Sequence, residues 1–477
     1  ELCHRQTQYS GTGSTVMSSS TDTAPLTFKE KVGYGLGDMA SNFYMGFFGL
    51  FLLYYYTDVF GISPAAAATM LLVTKIVDAV SDPAMGIIAD RTESRWGKYR
   101  PYLLWVAVPY ALLGYLLFLG PEFGDFGKLV YAYVTYTLVM LAYTAINVPY
   151  SALLAVISPV AEERTKATQF RFVFASLGTL CVGAFATPLV NMLGAGDEVL
   201  GFRLTIILFA ILSVLIFWIT FATTRERIHP THHDSKVGDD VAALVKNISW
   251  LVLVAVGILV VIGLIARFAS IVFYLKYYLL DDGARVFLIF DKTALLTSCG
   301  LIGQLLGALS TPALAARFEK HHLVIGMNIL HAILLGICFV VPPDQFELIV
   351  VVHSLGIFTF GVIITLLFSM YTDCAEYGEW RTGKNTAGLT VSASMFSLKF
   401  GSAVGGALPG FMLAWFGFVA NEAQTETAIT GIRLMFNLLP AVFFVAAGVL
   451  MYFYRIDKAT LQRVESELHE RRSAPVA

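Results

Sequence analysis

The sequence predicts an all-α membrane protein of twelve transmembrane helices, and three observations predict it. Of its 477 residues, 57% are hydrophobic and only 14% are charged, where a soluble domain carries about 25% charged residues. The apolar residues fall in blocks with uncharged cores, among them 102–119, 206–221, 251–265, 323–341 and 438–454. With their flanks these cores reach the ~20 residues that cross ~30 Å of hydrocarbon. The third observation is an alternation of basic and acidic loops that stays in phase along the chain.

Apolar runs between charged breaks place the spans near 32–57, 64–89, 99–120, 127–157, 165–194, 201–223, 248–280, 285–316, 321–342, 346–375, 386–417 and 428–454. The longest of them must tilt or run on as helix beyond the bilayer. One set of loops carries Lys29 and Lys31, Arg91 to Arg100, Arg164 and Lys166, Arg225 and Arg227, Arg317 and Lys320, Arg381 and Lys384, and Arg455 and Lys458. The opposite ends carry mainly acids, such as Asp58, Glu122, Asp197, Asp281, Asp344 and Glu422. Basic loops face the cytoplasm, so both termini are expected there, in a multi-pass protein of a bacterial inner membrane.

The longest polar break, 224–247, divides the spans six and six. The expected organisation is a disordered segment 1–28, an N-terminal half 29–223, a cytoplasmic linker 224–247, a C-terminal half 248–458 and a cytoplasmic tail 459–477. Residues 1–16 are polar and lack the apolar core of a signal peptide. Met17 reads as a more natural start, and 1–16 as a gene-model artefact. His232 and His233 read as part of a solvated linker rather than a metal tract, since no further ligands stand at useful spacing. The cysteines (Cys3, Cys181, Cys299, Cys338, Cys374) are scattered singly and suggest neither metal nor disulfide.

Several function classes are excluded at this level. A net charge of −2 argues against a nucleic-acid-binding chain. No GxxxxGK[ST] phosphate loop is present for an ATP-driven pump, and no repeated filter sequence suggests a channel. A membrane-embedded enzyme would need a nucleophile or metal constellation, and none appears. No cofactor is expected.

Two motifs carry chemistry. Lys75, Asp78 and Asp82 share one helix face inside the second span, with Ser81 and Pro83 beside them. A charge at the bilayer centre costs at least ~2.5 kcal/mol, so two acids on one stripe point to a proton site or to oxygen ligands for a small cation. A salt-bridge network closed by Lys75 is the structural alternative. The second motif runs from Gly86 through Asp90, Arg91, Arg95, Trp96 and Lys98 to Pro101. A carboxylate at a helix C-terminus opposes the helix dipole, and nearby guanidiniums can neutralise it, making Asp90, Arg91, Arg95 and Lys98 a conformational lock. This loop resembles the signature loop of the major facilitator superfamily, with a degenerate echo from Pro312 to Lys320.

In order along the chain stand Gly33–Asn42, Tyr54-Tyr-Tyr-Thr-Asp58, the Lys75–Pro83 stripe, Arg95-Trp-Gly-Lys-Tyr-Arg-Pro101, Tyr143-Thr-Ala-Ile-Asn-Val-Pro-Tyr150, Asp373-Cys-Ala-Glu-Tyr-Gly-Glu-Trp380 and Lys399. Together they resemble the glycoside–pentoside–hexuronide:cation symporter family of that superfamily, over residues 30–458. The resemblance implies a major facilitator fold and cation-coupled symport of a sugar by alternating access. The implied partners are a small sugar, H⁺ or Na⁺ and membrane lipid; no nucleic acid is expected, and the chain is expected to be a monomer. A non-transporting sugar sensor of the same fold is the alternative.

Carried position by position, the resemblance assigns the cation site to Asp78 and Asp82, with Thr144 as an oxygen ligand. Any Na⁺ would sit at the two acids. The asparagine that melibiose permeases associate with sodium is Ser81 here, which favours H⁺. Lys399 falls between the cation and sugar sites. Two sugar-binding acids become Asn42 and Asn147, whose amides suit hydroxyls, and Tyr143 and Tyr150 offer faces to a sugar ring. Arg171 stands one position from a family arginine. Arg267, in span seven, either pairs with Asp291 or joins Arg171 and Lys399 on a substrate carboxylate. The second option favours a uronide-like substrate.

Overall fold

The computed structural model describes residues 24–228, 247–382 and 387–473. Among them the chain is helical, with no β-structure beyond an isolated Phe287–Phe290 bridge. The N-terminal half comprises α1 (Phe28–Tyr54), α2 (Pro64–Arg91), α3 (Arg100–Trp105), α4 (Ala107–Leu117), α5 (Asp125–Ile157), α6 (Ala161–Gly194) and α7 (Glu198–Thr223). The C-terminal half comprises α8 (Ile248–Phe273), α9 (Lys292–Arg317), α10 (Lys320–Val340), α11 (Phe346–Thr382), α12 (Ala387–Trp415), α13 (Glu426–Arg433) and α14 (Leu439–Met451). A final helix, α15 (Lys458–Ser473), occupies most of the segment expected to be a tail. The histidine tract of the linker and the segment 1–16 lie outside the described residues.

Every expected span contains a helix, and among the described residues nine helices are long and apolar enough to cross a membrane. Their starts follow local chemistry. Thr27 and Glu30 form a reciprocal capping box at α1, Pro64 opens α2 at the position where a missing N–H is harmless, and Asn247 caps α8. Two spans differ from expectation. The third is broken at Val106 into α3 and α4, because Pro109 has no N–H to offer the Trp105 carbonyl and its ring crowds that oxygen. The eighth begins only at Lys292, after a turn with left-handed Leu280, Gly283 and Leu288. Asp291 is therefore not inside the helix. It is the N-cap, accepting from the Ala294 N–H at 2.7 Å.

α1 and α8, the first helices of the two halves, end alike. Each passes into a five-residue π-turn, Tyr55–Val59 and Tyr274–Tyr278, a helix defect that recurs at functional places. The two turns meet across the molecule. The Asp58 carboxylate, whose side chain is 0% exposed, accepts from the Tyr277 phenol and from Lys276 at 3.4 Å. Lys276 also donates to the Tyr54 phenol and to Asn421 Oδ1, both at 2.8 Å. Asn421 in turn donates its amide to the Asp58 carbonyl at 2.6 Å.

A second join lies beside this one. Thr187 and Asn191 of α6 donate to Asp291 at 2.8 and 3.3 Å, and the Thr297 hydroxyl donates to the Gly183 carbonyl at 2.7 Å. A third is steric. Gly410 of α12 presses against the start of α2, where an added Cβ would lie 2.7 Å from the Pro64 carbonyl and 2.8 Å from the Ala68 methyl. These joins lie toward the helix ends opposite the basic loops.

Replacing that glycine tests the closeness of the halves. Gly410→Val should cost ~1–3 kcal/mol through overpacking and lower the melting temperature of the purified protein. Gly406→Ala, whose Cβ would meet only Ile265 at 3.9 Å, should leave it unchanged. Equal melting temperatures would show that α2 and α12 do not touch there.

Candidate functional site

Half-way along α2 the two acids of the stripe meet a cation from the other half. Lys399 of α12 places its ammonium 3.8 Å from Asp78 and in direct contact with Asp82. The Thr144 hydroxyl of α5 lies 2.9 Å from Asp78 Oδ1 and 3.2 Å from Asp82 Oδ1. That hydroxyl has one proton, so it can serve one carboxylate at a time and leaves the other open to a proton or an ion. Ser81 is turned to the backbone, donating to the Asp78 carbonyl at 3.0 Å, and stands 3.5 Å from Thr144. Asp78 is buried, while 43% of the Lys399 side chain is exposed. No ion pair joins Lys75 to either acid among the described residues, so the network that the stripe suggested is closed by Lys399 instead. The two carboxylates and the Lys399 ammonium in contact sum to one negative charge, and Lys75 stands near enough to act on Asp78 electrostatically without pairing with it.

The residues assigned to sugar lie in a neighbouring patch on α1, α5 and α6. Asn42 donates to the Asp38 carbonyl at 2.8 Å and accepts from Thr179 at 3.3 Å. Arg171 forms an ion pair with Asp38 at 2.9 Å and lies over the Tyr150 ring, 5.0 Å from its centroid. Asp38 stands in plain view in the Gly33–Asn42 motif but was given no role from sequence. Tyr150 is fully buried, stacked 4.9 Å from Tyr34 and bonded to its carbonyl at 2.6 Å. In this conformation it packs α5 on α1 and offers no free face. Tyr143 is only partly buried, and Asn147 has a buried Oδ1 with no hydrogen-bond partner, a polar atom available to a ligand.

Arg267 is elsewhere. It is 1% exposed and donates to the Phe436 carbonyl at 2.9 Å, to Asn437 at 3.4 Å and to His353 Nδ1 at 2.8 Å. Its guanidinium also lies 4.0 Å from the Phe436 ring centroid. Asp291 is held by Thr187, Asn191 and Ala294, so neither expectation for Arg267 is met in this conformation. It neither pairs with Asp291 nor gathers with Arg171 and Lys399, each of which has its own carboxylate. Sequence reasoning missed His353, whose signal was a lone histidine in an apolar span. A guanidinium only donates, so Nδ1 accepts and the ring proton sits on Nε2. His353 lines a cavity of about 10 Å³, roughly one water, with Leu50 and Thr179 of the other half.

This arrangement, polar groups at mid-helix between two helical halves, can be set beside known proteins. Residues 33–458 match the family described as MFS/sugar transport protein. The chain belongs to that family. It is 32% identical to the glucuronide carrier protein homolog of Escherichia coli K12, across 94% of this chain and 96% of that one. It is 32% identical to the isoprimeverose transporter of Lactiplantibacillus pentosus, covering 91% and 90% of the two chains. The inner membrane symporter YicJ of E. coli K12 is also 32% identical, covering 93% and 95%. Among solved structures, a mutant of the nucleoside transporter NupG has a TM-score of 0.62 at 14% identity, covering 90% of this chain and 99% of that one. That likeness concerns the fold alone. Family membership makes the chain a multi-pass membrane transporter and not an enzyme, and such transporters need no cofactor.

In this MFS protein the loop after α2 is organised by different partners from those expected. Asp90 accepts from the Tyr99 phenol at 2.7 Å, and no ion pair links it to Arg91, Arg95 or Lys98 among the described residues. The main anchor is Glu226, just past α7. Its carboxylate accepts from the backbone N–H groups of Lys98 and Tyr99 at 2.8 Å and of Arg100 at 3.0 Å, where α3 begins with its positive dipole end. Arg95 lies 4.1 Å from the Trp96 ring centroid.

The charge balance at α2 can be tested without transport. Lys399→Met leaves two carboxylates without their cation. With 43% of the lysine exposed, the cost should be nearer ~1–2 kcal/mol than the ~3–5 kcal/mol of a fully buried pair. Adding Asp82→Asn should recover most of the lost melting temperature. If the two losses simply add, the groups are not coupled.

Proposed function

We propose that the chain is a proton-coupled sugar symporter of the inner membrane, a monomer with both termini in the cytoplasm and twelve spans. The observation that carries this reading is Lys399 of one half held against Asp78 and Asp82 of the other. A site with one net negative charge favours loading by one cation, and the loaded site is neutral and easier to carry through a low-dielectric passage. The proton is favoured over sodium because, among the described residues, the side-chain oxygens seen to converge are those of Asp78, Asp82 and Thr144, with the Lys399 ammonium against the acids and Ser81 bonded to the backbone. A proton needs one lone pair, and the shared Thr144 hydroxyl can accept from whichever carboxyl gains it.

For the substrate, Asn42, Tyr143, Asn147 and the Asp38–Arg171 pair offer donors and acceptors for sugar hydroxyls, with His353 Nε2 facing the same interface. The carboxylate clamp of Arg171, Arg267 and Lys399 is not assembled in this conformation. A glycoside read through its hydroxyls therefore has the better support, in keeping with the name of the isoprimeverose relative. A uronide is the second reading, favoured by Arg171, which could exchange Asp38 for a substrate carboxylate and keep its charge paired. With the basic loops on the cytoplasmic side, the joins at the acidic ends support reading this conformation as closed to the periplasm and facing inward.

In proteoliposomes, uptake should slow as external pH rises and should not respond to sodium. Asp78→Asn and Asp82→Asn should each abolish uphill accumulation while leaving part of sugar exchange, which moves no net cation. Sodium-stimulated uptake would defeat the proton reading, and normal accumulation in both variants the site itself. The absence of any uptake would favour a sensor. Arg171→Gln should impair a uronide more than its neutral analogue if the second reading holds.

The closed face gives a separate test. Asp58→Asn weakens the cross-half network and should raise labelling of a cysteine introduced as Leu50→Cys, at a buried position on the small cavity between the halves, by an impermeant reagent several-fold. Unchanged labelling would show that Asp58 does not hold the periplasmic side shut.

A further inference from the structure

The loop between α9 and α10 carries a cluster that sugar transport does not use. Glu319 precedes α10, and His321 and His322 stand in its first turn. Nδ1 of His321 lies 3.3 Å, and Nδ1 of His322 3.6 Å, from the same oxygen, Glu319 Oε2. The two imidazole centroids are 3.9 Å apart, and the three candidate ligand atoms all lie within 4.8 Å of one another. Among the described residues this is the one group of at least three histidine, cysteine or acidic side chains so arranged.

These spacings have a chemical meaning. Zn²⁺ takes imidazole nitrogen at ~2.0–2.1 Å and carboxylate oxygen at ~2.0–2.2 Å, so neighbouring ligand atoms of a tetrahedral centre stand roughly 3.3–3.5 Å apart. Both nitrogen–oxygen edges are already close to that length. Two imidazoles with one carboxylate is a donor set suited to a borderline transition metal, whereas Ca²⁺ and Mg²⁺ take oxygen ligands.

The surroundings support the same ligand. Lys320, between the glutamate and the histidines, is paired with Asp373 at 2.7 Å, so its ammonium is engaged away from the cluster; Lys458 is the other ammonium in the cleft. His322 is 69% and Glu319 39% exposed at the side chain, so an ion can reach them from water. His321 and Glu319 also line a cleft of about 270 Å³ with Asp457. The Asp457 carboxylate accepts from the Thr460 N–H at 2.8 Å, and Asp457, the residue just before α15, stands in that cleft as a candidate fourth ligand.

We propose that Glu319, His321 and His322 bind one transition-metal cation of the Zn²⁺ class, with Asp457 or water completing the coordination. The ion would tie the α9–α10 loop to the start of α15, on the face that carries the basic loops. The site is independent of the sugar and its coupling ion.

The test uses the full chain in detergent with any affinity tag removed, titrated calorimetrically with ZnCl₂. One Zn²⁺ should bind per chain at micromolar or tighter affinity, and Zn²⁺ should raise the melting temperature. His321→Gln and His322→Gln should each weaken binding by at least ~10-fold, and Glu319→Gln should do likewise. Replacing His232 and His233 together should change nothing. If a histidine variant is not recovered folded, Glu319→Gln at its exposed position gives the same reading. Binding no tighter than millimolar would overturn the proposal, as would binding lost only on replacing His232 and His233.

Discussion

Two carboxylates on one stripe of a membrane helix need a cation, and in this protein the cation comes from the opposite half. That requirement organises much of the molecule. It brings α12 against α2, which in turn explains why Gly410 sits where a side chain would strike Pro64 and Ala68. It brings α5 alongside, so that Thr144 can share its one proton between Asp78 and Asp82. Because Lys399 belongs to the C-terminal half, any change in the charge of the acids changes the attraction between the halves. The charge on these acids and the contact between the two halves are therefore governed by the same electrostatics.

The seal at the acidic ends answers a different problem. Two helical halves closing over a polar interior must bring their first helices together without leaving backbone groups unpaired. Both α1 and α8 end in π-turns, and each turn supplies side chains to the other: Asp58 from one, Lys276 and Tyr277 from its counterpart. The correspondence is what an internal repeat would produce, with the acid and the base divided between the copies. Asp58 is fully covered while Lys276 is partly exposed, so the carboxylate is the group that most needs its partners. Separating the halves at this end would return it to water, which offsets part of the lost pairing. Such a contact can hold one state without making the other inaccessible.

Much of the fold was legible because hydropathy and loop charge report directly on the bilayer. Helices occupy all the expected spans, and the site stripe was visible because two acids in an apolar run are costly wherever they face. Thr144 and Lys399 came from family resemblance rather than from spacing. What sequence did not yield was partnership. Arg171 was seen as a free cation because its carboxylate, Asp38, lies 133 residues away on another helix. From sequence Tyr150 offers its face either to a sugar ring or to ordinary helix packing, and in the structure it packs on Tyr34. The break at Val106 could have been read from Pro109, but an uninterrupted apolar run outweighed it. The late start of α9 was hidden for the same reason, since 285–290 is apolar enough to resemble a span.

Arg267 shows how far charge and burial can mislead when they are read singly. A buried arginine in a membrane span is expected to have an acid partner or an anionic ligand, and this one has neither in the described structure. Its two terminal nitrogens donate to a carbonyl, an amide oxygen and an imidazole nitrogen, and its face lies on an aromatic ring, while the buried Nε has no hydrogen-bond partner. Each of these is a dipole or quadrupole oriented toward the positive charge, and together they replace the single carboxylate. The consequence falls on His353. With Nδ1 committed as an acceptor, its remaining nitrogen can only donate while the ring is neutral. A donor on the wall of a cavity shared with Thr179 and Leu50 suits a hydroxyl oxygen. Arg267 thus sets the tautomer of a residue on that cavity wall without lining the cavity itself.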